Sequence, residues 1–213
     1  MKKDAQMQIM TIPTGAYEVN CYAVWNEPEA ALLIDPGADA DEIIDAVESR
    51  GLSVAAVLCT HGHADHISAL GQILEKYPVA ARMAAADAVW AFTQLNAIPP
   101  YYASISRPHG VCEIAADGEL VEAGSLRLRA MATPGHSPGS VCFVCDEACA
   151  VFSGDTLFER SIGRTDFPGG NPAAMRRSLA RLMELPDDFT VYPGHGGATT
   201  IGAELRANPY IAR

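Results

Sequence analysis

Short apolar blocks that end in turn residues recur along the chain and predict a β-rich fold. Eight of them have the length of strands and are bounded by Gly, Pro, Asp or Asn. They read QMQIMTI, NCYAVWN, AALLIDPG, SVAAVLCT, SLRLRAMATPG, SVCFVC, ACAVFSG and FTVYPG. The blocks cluster towards both ends of the chain, so we expect the strands to form groups that are separated by helices.

Segments with the helical period of apolar residues lie between these blocks and predict five helices. They cover positions 40–50, 66–76, 84–95, 172–184 and 199–207. Gly51 supplies a stop for the first helix, and Asn171 followed by Pro172 supplies a start for the fourth. Positions 96–117 show neither period, so we expect a long loop there, of a kind that is often functional in compact domains.

The size and charge of the chain limit the classes of protein to which it can belong. With 213 residues, of which 49% are hydrophobic, the chain is long enough to bury a large core, and no low-complexity linker divides it. We therefore expect one domain over positions 1–213. A net charge of −11 argues against nucleic acid or an anionic membrane as a partner, because the average surface would repel either.

Targeting signals and cysteine usage predict a soluble cytoplasmic protein. The start MKKDAQMQIM has no apolar core of a signal peptide, and no later stretch reaches about 18 uninterrupted apolar residues. Six cysteines are too sparse for a disulfide scaffold, so reduced thiols are expected. Cys142 and Cys145 alternate along one predicted strand and should face opposite sides of it, which favours burial over a metal knuckle. Nothing in the sequence implies a protein partner.

Half of the six histidines lie in THGHADH, positions 60–66, directly after an apolar block. In four places an apolar block is followed by glycine and then by a side chain that can bind a metal. Glycine allows the backbone to turn and approach a shared object closely, so these four block ends predict one common site. The candidate ligands are His61, His63, Asp65, His66, His136, Asp155 and His195.

Seven ligands exceed what a single tetrahedral ion takes, so the set favours two metal ions with one bridging carboxylate. His61 and His63 alternate on an extended segment and can face one ion, whereas Asp65 and His66 lie at the following turn and suit its neighbour. Imidazole and carboxylate are ligands for zinc, and iron and manganese also accept them. A single histidine at a strand end is more often a hydrogen-bonded structural residue, and His109, which lacks this context, is interpreted as a surface histidine.

Four motifs resemble the metallo-beta-lactamase superfamily. HGHADH is similar to its H-x-H-x-D-H signature, and TPGHSPGS, FSGDTLF and YPGHG are similar to its later metal motifs. The resemblance implies an α/β fold, a four-layer αβ/βα sandwich of two mixed β-sheets with helices on the outer faces. It also implies a binuclear site at one edge of the sheets.

The resemblance also implies a role for each ligand. His61, His63 and His136 would hold the first ion, Asp65, His66 and His195 the second, and Asp155 would bridge them. Asp35, in LLIDPG, would orient a ligating imidazole through its other ring nitrogen, although an aspartate beside Pro-Gly also suits a turn cap.

Within the superfamily, SIGRTDFPGGN and TTIGAELRANPY resemble the short bacterial glyoxalase II-like hydrolases. This resemblance implies hydrolysis of a thioester, such as a hydroxyacylglutathione, by a metal-bound hydroxide, with Asp65 and Asp155 as the catalytic carboxylates. Two divalent ions, most simply zinc, would be the cofactors, and a small-molecule thioester the substrate. Full-length glyoxalase II has a further C-terminal helical region for glutathione, whereas 18 residues follow His195 here, so the thiol carrier stays open.

Three alternatives remain beside the hydrolase. Persulfide dioxygenases have a similar GRTDF loop and hold one iron through the equivalents of His61, His136 and Asp155. A non-enzymatic metal-binding domain and a nuclease of the same superfamily are the others, and the acidic surface weighs against the nuclease.

Three further residues are candidates for substrate contact. Arg164 would neutralise a substrate carboxylate, although a pair with Asp166 is equally consistent with the sequence. Tyr101 and Tyr102 would line the mouth of the site.

Overall fold

A computed structural model describes residues 7–26, 30–114 and 117–211, and places most of their strands in two six-stranded sheets. Gln6 of the first predicted strand and positions 115 and 116 of the predicted loop lie outside these ranges. The first sheet has the order β1-β2-β3-β4-β5-β6, antiparallel from β1 to β3 and parallel from β3 to β6. Its strands are β1 (Gln8–Thr14), β2 (Val19–Trp25), β3 (Ala31–Ile34), β4 (Val54–Leu58), β5 (Ala81–Ala84) and β6 (Val111–Ile114).

The second sheet is also mixed. Its order is β14-β13-β10-β9-β8-β7, with β10 and β13 parallel and the other neighbours antiparallel. The strands are β7 (Leu120–Ala123), β8 (Leu126–Ala132), β9 (Val141–Cys145), β10 (Ala150–Gly154), β13 (Thr190–Pro193) and β14 (Thr199–Thr200). A separate hairpin is formed by β11 (Leu157–Phe158) and β12 (Ser161–Ile162).

Six α-helices are assigned within the described residues, and none of them is both long and apolar enough to cross a membrane. They are α1 (Ala40–Ser49), α2 (Ala64–Ile67), α3 (Leu70–Lys76), α4 (Ala85–Ala88), α5 (Pro172–Leu182) and α6 (Ile201–Ala207). The start of α5 follows its predicted cap, because the side chain of Asn171 accepts hydrogen bonds from the backbone N–H groups of Ala173 and Ala174 at 3.0 and 2.9 Å.

Three layers of apolar packing connect these elements. Side chains such as Leu32, Phe143 and Phe152 fill the space between the two sheets. The outer face of the first sheet packs against α1 and α3, and the outer face of the second packs against α5 and α6. The predicted α/β architecture of two mixed sheets with outer helices is therefore confirmed. Burial on both faces explains why the central strands are continuously apolar in sequence.

The cysteines follow the sequence prediction. Cys142 packs on the helix side of the second sheet and Cys145 packs between the sheets, so the expected alternation is confirmed. All six cysteines are free thiols.

Two predicted helices and the predicted loop were partly wrong. The helix expected at 66–76 is divided into α2 and α3 by a turn at Ser68 and Ala69, and the helix expected at 84–95 is reduced to α4. Asn96 explains the second difference, because its side-chain amide donates to the carbonyl of Ala91 at 2.7 Å and holds the chain in turns. The expected loop at 96–117 contains β6, an edge strand whose partly exposed side chains lack the apolar alternation of a strand signal.

Strand prediction failed for most of the short strands. The elements β5, β6, β7, β11, β12 and β14 have two to four residues each and were missed. The last predicted helix lost positions 199 and 200 to β14, where Thr200 caps α6 by accepting a hydrogen bond from Ala203 N at 3.1 Å.

Candidate metal centre

The structure brings all seven predicted ligands to one edge of the two sheets. The THGHADH segment follows the end of β4 in the first sheet, and the other ligands follow β8, β10 and β13 in the second sheet. Two groups of three predicted ligands have their ligand atoms within 4.8 Å of one another, and a third such group joins His61 and His66 to Asp35. The first trio is His61, His63 and His136, and the second trio is Asp65, His66 and His195.

Asp155 lies between the two trios. Its Oδ2 is 3.5 Å from Nε2 of His136 in the first trio and 3.7 Å from Nε2 of His195 in the second. Its Oδ1 is 3.4 Å from Nε2 of His66. One carboxylate therefore faces ligands of both trios, which is the arrangement that a bridging ligand requires.

Asp35 and Thr60 hold two of the imidazoles by their outer nitrogens. Asp35 Oδ2 accepts hydrogen bonds from His66 Nδ1 at 3.0 Å and from Thr60 Oγ1 at 2.6 Å, while its Oδ1 accepts from Thr60 N at 2.7 Å. Since Thr60 Oγ1 donates to Asp35, it can accept from His61 Nδ1, which is 3.0 Å away. Both rings thus direct Nε2 towards the centre, as metal-binding histidines with an outer partner do.

Backbone carbonyls hold two further imidazoles in the same way. Nδ1 of His136 is 2.8 Å from the carbonyl oxygen of Arg164, and Nδ1 of His195 is 2.9 Å from that of Tyr17. Each ring therefore donates outwards and presents Nε2 inwards. Every residue type has a backbone carbonyl, so the sequence could not indicate which residues form these two contacts.

The arrangement fits divalent metal ions. Among the residues that the structure describes, Nε2 of the buried His61 has no hydrogen-bond partner, although a buried polar atom normally has one. Nε2 of His136 and Nδ1 of His63 converge to 2.9 Å. Imidazole nitrogens and carboxylate oxygens in this number are the ligand types of zinc, iron and manganese sites.

The two carboxylates of the centre are ionised at neutral pH. Burial alone would raise the pKa of Asp155, but His66, His195 and His136 bring it well below the usual range. The pKa of Asp65 is also lowered, because the interactions with His66 and His195 outweigh its burial. The centre therefore carries two negative charges that attract cations.

The imidazoles divide into two classes. Burial and the neighbouring imidazoles hold the pKa of His61 well below its usual value and lower the pKa of His63 to about 4. Burial would also lower the pKa of His66, but Asp155 and Asp65 raise it well above the usual value, and Asp65 and Asp155 raise that of His195 despite burial. Two imidazoles of the first trio are therefore ready to bind a metal, whereas the second trio holds protons that a metal must displace.

Asp87 is a residue of the site that sequence analysis missed. It is fully buried, and its Oδ2 accepts hydrogen bonds from Gly62 N at 2.8 Å and Ser137 Oγ at 2.6 Å. Its Oδ1 accepts from Gly139 N at 2.7 Å and Trp90 Nε1 at 3.2 Å. Burial raises the pKa of Asp87, while these hydrogen bonds act in the opposite direction. Asp87 thus ties the segment before His63 to the segment after His136, in a region that the sequence predicted only as helix.

Asn96 supports the same segment from the other side. Its Oδ1 accepts a hydrogen bond from Ala64 N at 3.1 Å, and its Nδ2 donates to the carbonyl of Gly62 at 2.7 Å. Together with Asp87, this amide fixes the backbone on both sides of His63.

Gly194 leaves the room that the centre needs. A Cβ at this position would overlap Oδ1 of Asp155 and would lie 2.7 Å from Cε1 of His66. The glycine before His195 is therefore required for the close approach of β13 to the centre, as the Gly-ligand pattern predicted.

The guanidinium of Arg164 is paired with Asp166. Nε and Nη2 of Arg164 donate to the two carboxylate oxygens at 2.7 and 2.8 Å, and the guanidinium lies 3.9 Å from the ring centre of Phe167. The structure thus shows the internal pair with Asp166 that the sequence left as an alternative to substrate contact, and Arg164 reaches the centre through its backbone carbonyl.

Tyr101 and Tyr102 lie on the other side of the centre, around Tyr17. The hydroxyl of Tyr102 accepts a hydrogen bond from Tyr17 N at 3.2 Å, and the ring of Tyr17 contacts both of the other rings. Tyr102 is buried and Tyr101 is exposed.

Aromatic rings border the first trio. The ring of His63 lies 5.2 Å from that of Trp90 and 5.6 Å from that of Phe167, measured between centroids. This edge of the centre is therefore apolar.

A family model described as the metallo-beta-lactamase superfamily matches residues 14–195 of this chain. Hydroxyacylglutathione hydrolase GloC of Haemophilus influenzae is 32% identical over 216 residues, which cover 96% of this chain and 98% of that protein.

Two solved structures are similar over nearly the whole chain. The BLEG-1 B3 metallo-beta-lactamase has a TM-score of 0.90 and 31% identity, and the match covers 97% of this chain and 100% of the other. TTHA1623 in a di-iron-bound form has a TM-score of 0.84 and 33% identity, with 95% and 100% covered. The chain belongs to the metallo-beta-lactamase superfamily, whose members are typically hydrolases with metal sites.

Proposed function

We propose that this chain is a binuclear metal-dependent hydrolase of acyl thioesters, similar in activity to hydroxyacylglutathione hydrolases. The observation that supports it most is the pair of ligand trios that face one shared carboxylate, Asp155. The similarity to GloC of Haemophilus influenzae supports the thioester as the substrate class. We propose zinc as the resident metal, while the di-iron form of TTHA1623 makes iron the alternative.

Divalent ions at this centre would polarise a carbonyl group and lower the pKa of bound water from about 15.7 towards about 7. The chain's own residues prepare that chemistry. Asp65 and Asp155 stay ionised and hold the ligand set together, while the outer partners of His61, His66, His136 and His195 keep each Nε2 directed inwards. A thioester suits such a site because a thiolate of low pKa is a good leaving group.

The test is hydrolysis by protein whose metal content has been measured. We expect S-lactoylglutathione or S-lactoyl-N-acetylcysteamine to release free thiol, and we expect chelation to stop the release and metal to restore it. A β-lactam is assayed in parallel because of the similarity to BLEG-1, and oxygen consumption with glutathione persulfide tests the dioxygenase alternative. Metal-loaded protein that releases no thiol from either thioester contradicts the proposal.

The protonation of the two trios predicts a different pH dependence for each ion. Burial holds the pKa of His61 well below its usual value and lowers that of His63 to about 4, so at neutral pH the first ion displaces no proton from these two imidazoles, whereas the second must displace the protons held by His66 and His195. Between pH 5.5 and 7.5 we expect the affinity for the second ion to rise about tenfold per pH unit for each proton released, and that for the first to change less.

Calorimetric titration of the metal-free protein at several pH values measures both affinities. The titrations are repeated with the double variant His109→Ala/Cys112→Ser as a control. It lacks the exposed Cys112 thiol and the His109 imidazole, two side chains of metal-binding type that line a separate cavity. Equal pH slopes for the two binding events would contradict this assignment.

A further inference from the structure

A groove of about 390 Å³ lies beside the metal centre and has no part in the chemistry described above. Its walls come from the turn after β1, the start of α1, α3 and the segment after the 3₁₀ turn at 94–96. Its volume lies within the range of small-molecule sites. The residues that line it include Gly15, Ala38, Gln72, Tyr101, Tyr102 and Ala103.

Tyr17 connects the groove to the second trio through two hydrogen bonds. The carbonyl of Tyr17 accepts the hydrogen bond from His195, while its N–H donates to the hydroxyl of Tyr102, which lines the groove. Ser68 and Ala69, two and three residues after His66, line the groove as well. The groove therefore lies next to the second trio, within reach of a molecule whose one end is held there.

The lining is uncharged apart from one carboxylate. Of the described residues that line the groove, none is basic, and Asp39 is the acidic one, with Oδ2 accepting a hydrogen bond from Gly15 N at 2.7 Å. The amide of Gln72 and the hydroxyl of Tyr101 offer neutral hydrogen-bonding groups, and Ser68 Oγ, which donates to the carbonyl of Ala64 at 2.6 Å, offers an acceptor. Such a surface forms hydrogen bonds with amide and hydroxyl groups of a ligand, and its Asp39 carboxylate repels a carboxylate of the ligand.

The opposite side of the centre differs in character. Trp90 and Phe167 border His63 there, and the guanidinium of Arg164 is already paired with Asp166. The apolar side suits an acyl group, and the polar, neutral groove suits a longer arm.

Building on the proposed function, we propose that the groove binds the thiol-carrier arm of the substrate. It selects an uncharged arm of amide and hydroxyl groups over an arm that carries carboxylates, such as glutathione. Arm length and arm charge, rather than the acyl group, then determine which thioesters this chain hydrolyses best.

Three thioesters with the same lactoyl group test the proposal on the metal-loaded protein. S-lactoylpantetheine has a long neutral arm, S-lactoylglutathione an arm with two carboxylates, and S-lactoyl-N-acetylcysteamine a short neutral arm. We expect kcat/KM for the pantetheine ester to exceed that for the glutathione ester by about tenfold or more. A preference for the glutathione ester overturns the proposal.

Two surface variants fill the groove, and a matched variant does not. Gln72→Trp and Ala103→Trp place a large ring in it, whereas Ala148→Trp places the same ring on the exposed turn after β9. We expect the ratio of kcat/KM for the pantetheine ester over the N-acetylcysteamine ester to fall about tenfold in the groove variants and to stay unchanged in Ala148→Trp. An unchanged ratio in both groove variants overturns the proposal.

A binding measurement separates this proposal from the proposed function. S-methylpantetheine cannot be hydrolysed, and calorimetry should show that it binds the metal-loaded protein and that Gln72→Trp and Ala103→Trp weaken it about tenfold. If no thioester is hydrolysed but S-methylpantetheine binds in this pattern, the proposed function fails and the groove assignment stands. If thioesters are hydrolysed and S-methylpantetheine does not bind, the groove assignment fails alone.

Discussion

Asp155→Asn is expected to lower both the bound metal and the thioester turnover of this chain more than any other single conservative change. The substitution keeps the shape of the side chain but removes its negative charge and replaces one of its two oxygen atoms. Oδ1 faces His66 and Oδ2 faces His136 and His195, so either orientation of the amide places an N–H₂ group against imidazole nitrogens that must bind metal.

Metal analysis after gel filtration and kcat/KM measure the result. We expect at most one ion per chain instead of two, and a loss of kcat/KM above about 100-fold. A loss of about 100-fold is the upper range for residues that only hydrogen-bond to a metal ligand, and a direct ligand should cost more. Asp146→Asn is the matched control, because this exposed aspartate pairs with Arg129 far along the second sheet. A variant with two ions and full turnover would falsify the bridging role of Asp155.

Asp87→Ala is expected to cause the largest loss of stability among single changes near the centre. It removes the acceptor of four hydrogen bonds and leaves the N–H groups of Gly62 and Gly139 buried without that partner. Each buried donor left without a partner costs about 1–3 kcal/mol, so we expect a loss of about 3 kcal/mol or more in the free energy of unfolding. For a chain of this size the melting temperature should fall by about 6–12 °C.

Thermal unfolding of the metal-free proteins measures this effect without a contribution from bound ions. Asp87→Asn should also destabilise, because either orientation of the amide places N–H₂ opposite a backbone N–H, whereas Asp188→Ala on the exposed surface should change little. If Asp87→Ala has the same melting temperature as the wild type, Asp87 does not hold the two ligand segments together.

The sequence indicated the strand groups and the ligand set through residue type and spacing, whereas the sandwich of two mixed sheets followed from the resemblance to the superfamily. Histidine is rare in this chain, and four ligands come after an apolar block and a glycine, so their convergence could be inferred without a structure. The central strands were found for a similar reason, since burial on both faces makes them continuously apolar.

What the sequence could not indicate depends on how separate segments meet. The carbonyls of Tyr17 and Arg164 hold His195 and His136, and every residue type has such a carbonyl. Asp87 lies in a segment with a helical pattern and Asn96 begins the segment that shows neither period, and both side chains reach the ligand segments only after the chain has folded. The groove over Tyr17 likewise brings together positions near 15, 38, 72 and 102, which no local pattern connects.

The two carbonyl contacts have a consequence for which substitutions this chain tolerates. Because positions 17 and 164 support His195 and His136 through the main chain, their side chains can be exchanged without removing those hydrogen bonds. Substitutions at positions 17 and 164 therefore change the surface on both flanks of the centre and leave the support of the two imidazoles in place. Libraries randomised at these two positions should retain far more active members than libraries randomised at Asp35 or Thr60, whose side chains supply the support themselves.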